Sequence, residues 1–159
     1  MAKSFNEVKK YIGNLDQLLT FTEAKLTGGF QEGVRVMRID NGGNLSVTVL
    51  PDRCMDIYQV RYKGKNINYI SPAGIVAPQY YDASGSNWLR NFFAGMLTTC
   101  GLQNIGAAME LPDGGIGGMH GRLTNIPAAN VRYSRGMDGD APTLSLEGTM
   151  NEAVMLART

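Results

Sequence analysis

The 159-residue chain has one histidine, one tryptophan and two cysteines, and each scarcity excludes a class of chemistry. Zinc sites draw several nitrogens or sulfurs from His and Cys. A lone His120 with Cys54 and Cys100, which form no CxxC pair, does not supply such a cluster. Two isolated thiols with no sign of an oxidising compartment predict reduced cysteines rather than a disulfide. Charge of one sign is lacking too: fifteen Lys plus Arg face fourteen Asp plus Glu, a net charge of +1. Phosphate-backbone binders carry a basic surplus, so nucleic acid is not expected as a partner. Lys9-Lys10, the only adjacent basic pair, reads as the solvated face of a short helix. No apolar run approaches the roughly 18–20 residues that cross a bilayer, and the start MAKSFNEVKK has no secretory apolar region, so a cytoplasmic protein without membrane contact is expected.

Helical periodicity is also scarce. Ser4-Phe5-Asn6-Glu7 fits a capping box, which predicts a short helix within residues 1–13, running to about Tyr11 and stopped by Gly13-Asn14. After that the period changes to two. Val34 to Ile39, Leu45 to Val49 and Ile57 to Tyr62 alternate in the manner of half-buried strands, with turns at Asp40-Asn41-Gly42-Gly43-Asn44 and Lys63-Gly64-Lys65-Asn66. Val131 to Ser134 and Thr143 to Thr149 read as two more strands around the polar loop Gly136-Met137-Asp138-Gly139-Asp140. Twenty glycines and 43% apolar residues suit a turn-rich globular domain. The expectation is one mainly β domain over residues 1–159, with antiparallel sheets filling residues 33–159. The last residues, from Glu152, run on without a stop signal, as in a chain entering another element.

The region from Ser71 to Pro127 is glycine-, proline- and aromatic-rich with weak periodicity, and long loops of this kind are usually functional. Its densest glycine run is GGIGGMHGRLTN, residues 114–125. As a dinucleotide fingerprint it fails, because after Gly115 and Gly117 the third glycine position holds His120; no Gly-Lys-Ser or Gly-Lys-Thr exists either, and no βαβ pattern surrounds it. A Cys100–His120 nucleophile pair is formally available, but Leu97-Thr98-Thr99-Cys100-Gly101-Leu102 reads as a buried strand end with a packed thiol. His120 is either an ordinary polar side chain or a ligand contact, its flanking glycines allowing close approach and Arg122 and Asn125 supplying nearby donors.

In Leu50-Pro51-Asp52-Arg53-Cys54-Met55-Asp56-Ile57, strand alternation would put Asp52, Cys54 and Asp56 on one face and Arg53 and Met55 on the other. A core-facing Arg53 would need a carboxylate or a ligand; a surface salt bridge at a strand end is the alternative. Tyr80, Tyr81, Trp88, Phe92 and Phe93 gather in one irregular segment, suited to core packing or to stacking on the C–H faces of a sugar.

Three stretches together, LSVTVLPDRCMDI, NWLRNFFAGMLTTCGLQNIG and GGMHGRLTNIPA, resemble in order and spacing the aldose 1-epimerase (galactose mutarotase-like) superfamily, in its bacterial branch of unassigned function. The likeness runs roughly from Gly33 to Leu156. It implies a β-supersandwich, here incomplete, with a cleft for a monosaccharide or sugar derivative. It also implies acid–base interconversion of sugar anomers with no metal and no organic cofactor; a non-catalytic carbohydrate-binding module is the alternative. His120 matches the family's first histidine, in a His-Gly motif that contacts the sugar near the reacting centre. Arg53 and Asp56 match a strand end that contacts substrate or braces the site, and Arg122, Asn125 and Trp88 complete the expected sugar-contacting set. The family's acid is usually a second histidine and its base a glutamate, both later in the chain. With no second histidine, this chain is expected to be the N-terminal portion, with little or no mutarotation by itself and sheet edges that favour association, including with another copy.

Overall fold

The computed structural model describes residues 5–112, 114–154 and 157–158. Ser4 of the expected capping box, and Met155, Leu156 and Thr159 of the run-on end, lie outside the described residues. The helix α1 spans Phe5–Lys9. It ends at Lys9, short of the expected Tyr11 and before Gly13-Asn14 is reached; Asn14 instead starts a 3-10 turn at Leu15–Gln17. Its Oδ1 accepts from Asp16 N at 2.9 Å, while Gln17 Oε1 accepts from Gly13 N and Asn14 N at 2.9 and 3.2 Å.

The strands β1 (Thr20–Lys25), β2 (Arg35–Asp40), β3 (Leu45–Leu50), β4 (Asp56–Tyr62) and β5 (Lys65–Asn66) form an antiparallel meander in sequence order. Pairing Met37 with Val49 and Val47 with Val60 keeps apolar residues in register, and a shift at Thr48/Val49 re-aims the end of β3. The β2–β3 turn is built by side chains mimicking backbone: Asp40 Oδ1 accepts from Gly42 N, and Asn41 Oδ1 from Gly43 N and Leu45 N, each at 2.9 Å. The first strand, TFTEAK, was not expected, because most of its side chains are polar or small. It forms by taking up the edge of β2, with Phe21 opposite Ile39 and Glu23 opposite Met37.

Two short strands, β6 (Met109–Glu110) and β7 (Ile116–Gly117), pair within the irregular region. The strands β8 (Ala129–Asp138) and β9 (Ala141–Thr149) are longer than their alternation predicts, and the expected five-residue loop shrinks to a tight turn at Gly139-Asp140. Backbone pairing continues there although the side chains are exposed and give no periodic signal. The hairpin is tied to the N-terminal part by stacking of Tyr133 on Phe21, centroids 4.0 Å apart, and by the Arg135–Asp16 ion pair. The last strands, β10 (Ala153–Val154) and β11 (Ala157–Arg158), pair with each other. The fold is thus mainly β and antiparallel with little helix, and no helix among the described residues is long and apolar enough to cross a membrane.

The core gathers Val34, Leu50, Ala77 and Phe93, all buried. Two of these come from the irregular region, so that region is not a free loop. Ala77 N bonds Phe30 O at 2.7 Å, Ser71 N bonds Phe93 O at 2.9 Å, and Ile57 O receives both Met96 N and Leu97 N at 2.8 and 3.1 Å. Gly95 makes this docking sterically feasible. At φ +80° a Cβ there would lie 2.8 Å from the Phe93 ring and 2.9 Å from Ile57 O. The Gly95→Ala variant is therefore expected to lose about 1–3 kcal/mol from the left-handed backbone alone, and more from the clash. Urea unfolding followed by near-ultraviolet circular dichroism checks this.

Candidate functional site

The segment Pro51–Arg53 folds as a 3-10 turn, and Cys54 and Met55 follow with φ of 55° and 61°. Two successive left-handed residues break the alternation expected for Asp52 to Asp56, and the strand starts only at Asp56. Asp52 leaves the expected shared face and accepts from Arg35 N at 2.7 Å and Arg35 Nε at 2.8 Å. Arg53 turns inward instead and is 1% exposed. Its Nε donates to Thr124 O at 2.7 Å, Nη1 to Val76 O at 2.8 Å and Nη2 to Asn91 O at 2.9 Å, with the guanidinium 5.1 Å from the Phe93 ring centre. Asp56, fully buried, accepts from Thr99 N and from Thr124 Oγ1, both at 2.6 Å.

Burial lowers the Arg53 pKa to about 10, the negative charge of Asp56 opposing the shift, so Arg53 stays cationic at neutral pH. Asp56 moves above its ordinary value because burial outweighs its hydrogen bonds from Thr124 and Thr99 and the attraction of Arg53. The Cys54 thiol is pushed up to about 11 by burial and by Asp56. Arg53 therefore braces three loop segments from within, and Asp56 clips one of them, at Thr124, to the segment of Thr99.

Two of those segments carry the candidate site. Asn91 ends the 3-10 turn Asn87–Asn91 that holds Trp88, and Thr124 lies in the turn Leu123–Asn125 just after His120-Gly121-Arg122. Between them opens a hollow of about 370 Å³ lined by Trp88, Leu89, Phe92, Thr98, Cys100 and His120, with Ala94 and Gly95 beneath. Trp88 stacks on Phe92 with centroids 4.8 Å apart, and tilts against the His120 ring at 4.5 Å. His120 sits at φ 57°, and its Nδ1 accepts from Gly106 N at 3.2 Å. An Nδ1 that accepts leaves the proton of the neutral ring on Nε2.

The structure thus brings His120 and Trp88 together and separates the other expected contacts from the hollow. Arg53 and Asp56, expected to contact substrate or to brace the site, are buried, with backbone groups and the Thr124 hydroxyl on their polar atoms. Asn125 is buried as well; its Oδ1 lies 3.4 Å from Asn91 Nδ2, and its own Nδ2 has no partner among the described residues. Arg122 is largely exposed, 3.7 Å from the buried Glu152, and does not line the hollow. Cys100, expected as a packed thiol, is exposed in the hollow, whereas Cys54 is the buried one; both are free. Sequence reasoning passed over Asn91, Thr99 and Thr124. Arg53 reads all three of its partners through carbonyls, which every residue carries, so no residue type could have signalled them. Among the described residues no three of His, Cys, Asp and Glu gather as a metal-binding group.

Replacing Arg53 with Met leaves three buried carbonyls without their donor, at about 1–3 kcal/mol for each one left unpaired. Chemical denaturation gives the value. Asp56 predicts a pH dependence: with its folded pKa above the ordinary 3.8, the folded chain retains a proton that the unfolded chain has released, so stability falls as pH rises through that window. Asp56→Asn should remove this fall, and the variant's urea midpoint should gain on the wild type as pH rises from below 3.8 through it.

No curated protein matches the sequence significantly. A crystal structure of a "putative aldose 1-epimerase" from Klebsiella pneumoniae subsp. pneumoniae, at 1.90 Å resolution, is similar with a TM-score of 0.79 and 27% sequence identity. The likeness covers 90% of this chain and 39% of that one, so the present chain spans about two-fifths of the neighbour's length. The architecture accordingly matches an aldose 1-epimerase-like fold over the region shared. Residues 31–159, well over half of the sequence, match the family described as "Domain of unknown function (DUF4432)", and the chain belongs to that family.

Proposed function

We propose that the chain forms the His120 wall of a monosaccharide-binding cleft and that, in a protein holding the rest of the fold, this wall serves the interconversion of sugar anomers. The observation that carries the reading is the meeting in one hollow of two stacked aromatic rings and an imidazole. A pyranose offers apolar C–H faces to such rings and oxygens to a directional donor. The volume, about 370 Å³, lies in the range of small-molecule sites. The likeness to the Klebsiella structure, described as a "putative aldose 1-epimerase", supports the same substrate class.

Anomer exchange needs an acid at the ring oxygen and a base at the anomeric hydroxyl, so that the ring opens, the C1 end rotates and closure occurs on either face. Among the described residues, His120 and Cys100 are the titratable side chains that line the hollow. The 159-residue chain is therefore expected to bind a sugar without accelerating mutarotation. A non-catalytic carbohydrate-binding module is the second reading. It is favoured by the commitment of His120 Nδ1 to Gly106 N, which leaves the neutral ring a hydrogen-bond donor rather than a proton acceptor.

Titration with a panel of aldoses and sugar phosphates should perturb His120 resonances, and His120→Ala should abolish the response while the fold is kept. Bound sugar should slow alkylation of Cys100 severalfold; Cys54, buried and pushed up to about 11, should stay unlabelled until the chain unfolds. One-dimensional NMR on freshly dissolved α-anomers should show uncatalysed exchange. A panel that leaves both His120 and Cys100 untouched would refute sugar binding, and rapid exchange by this chain would overturn the missing-partner argument.

A further inference from the structure

The ring of His120 is held by a segment that does not itself line the hollow. Residues 101–106 wrap the His-Gly turn: Gly101 N bonds His120 O at 3.2 Å, His120 N bonds Gly106 O at 3.0 Å, and Gly106 N returns to His120 Nδ1 at 3.2 Å. Asn104 sits inside this wrap, 7% exposed. Its Nδ2 donates to Gly118 O at 2.7 Å and approaches Ala107 O at 3.5 Å. One carboxamide thereby ties the residue after Gly106 to the strand leading into His120. Gly117 fits the same device, since a Cβ there would lie 2.9 Å from Asn104 Oδ1. The buried Oδ1 has no partner among the described residues, so the side chain is held through its donor end.

We propose that Asn104 is a positioning residue that, through the Gly106 amide, locks His120 as the Nε2–H tautomer. The ring then presents a donor, not an acceptor, to the ligand in the hollow. The ligand group opposite His120 is an acceptor oxygen, such as a sugar ring or hydroxyl oxygen; a cationic or donor-only group is disfavoured. This rests on the reading of His120 as a ligand contact, but the lock itself is set without ligand.

His120 is the only histidine, so its two ring nitrogens give a single assignable pair in a long-range proton–nitrogen spectrum. In the ligand-free wild type at a pH where the ring is neutral, Nδ1 should appear unprotonated and Nε2 protonated. Couplings across the hydrogen bonds should link Gly106 N to His120 Nδ1, and Asn104 Nδ2 to the Gly118 carbonyl carbon. Asn104→Leu, which keeps the size and removes the donor, should shift the nitrogens toward a tautomer mixture and lose the Gly106 coupling, with amides remote from the turn unchanged. Asn104→Asp, which also lacks the donor, should do the same.

A proton on Nδ1 in the wild type, or absence of either coupling, overturns the lock. A folded Asn104 variant with the wild-type tautomer overturns the role of Asn104. If neither variant folds, the wild-type couplings still decide the tautomer lock and whether Asn104 holds Gly118, and a missing Asn104 coupling overturns its role. Failure of every sugar to perturb His120 sinks the sugar reading and leaves the lock standing, so the two are separable.

Discussion

The structure depends on one buried cation. Arg53 enters the interior at the end of β3 and finds three carbonyls in three separate loop segments. Burying a charge is costly, and here the cost is offset by charge-assisted hydrogen bonds from every guanidinium nitrogen and by the nearby Asp56. A planar fork with fixed donor directions suits this arrangement; an ammonium, as a point charge on a flexible stem, does not. The left-handed pair Cys54-Met55 follows directly, because the chain must reverse sharply to send Arg53 inward and still begin β4 at Asp56. Such backbone persists only where its surroundings over-determine it, and Cys54 N is held by Ile126 O at 3.2 Å.

That interior brace explains how a site can be built on irregular backbone. The apolar core is small, and much of the region from 67 to 127 keeps its place through polar anchoring rather than apolar burial. The turn carrying Trp88 and the turn following His120 share the same guanidinium, so the two walls of the hollow are fixed relative to each other by one side chain. In the same irregular region Leu102, Ile105, Met109 and Ile116 are half to more than three-quarters exposed.

Much of the sheet was legible in the residues. Met37 and Ile39, Val47 and Val49, and Tyr58, Val60 and Tyr62 recur with the period of a pleated strand, and Asp40 to Asn44 carry the side chains that a tight turn demands. The strand β1 was not legible, because TFTEAK has no apolar face of its own and is specified by the free edge of β2. The ends of β8 and β9 were missed for the same reason: backbone pairing extends past the residues that advertise it.

For the site, the sequence by itself determined that a single histidine lies among glycines that permit close approach, and that a charged Arg53 near apolar residues would need partners. Only the tertiary structure decided which partners. It placed carbonyls of Thr124, Val76 and Asn91 where a ligand or carboxylate had been anticipated, buried Asp56 and Asn125, and opened Cys100 to the hollow. The reason is physical: side-chain periodicity records which face of an element is buried, whereas main-chain carbonyls from distant segments are chemically identical in every residue and become specific partners only once the chain has folded around them.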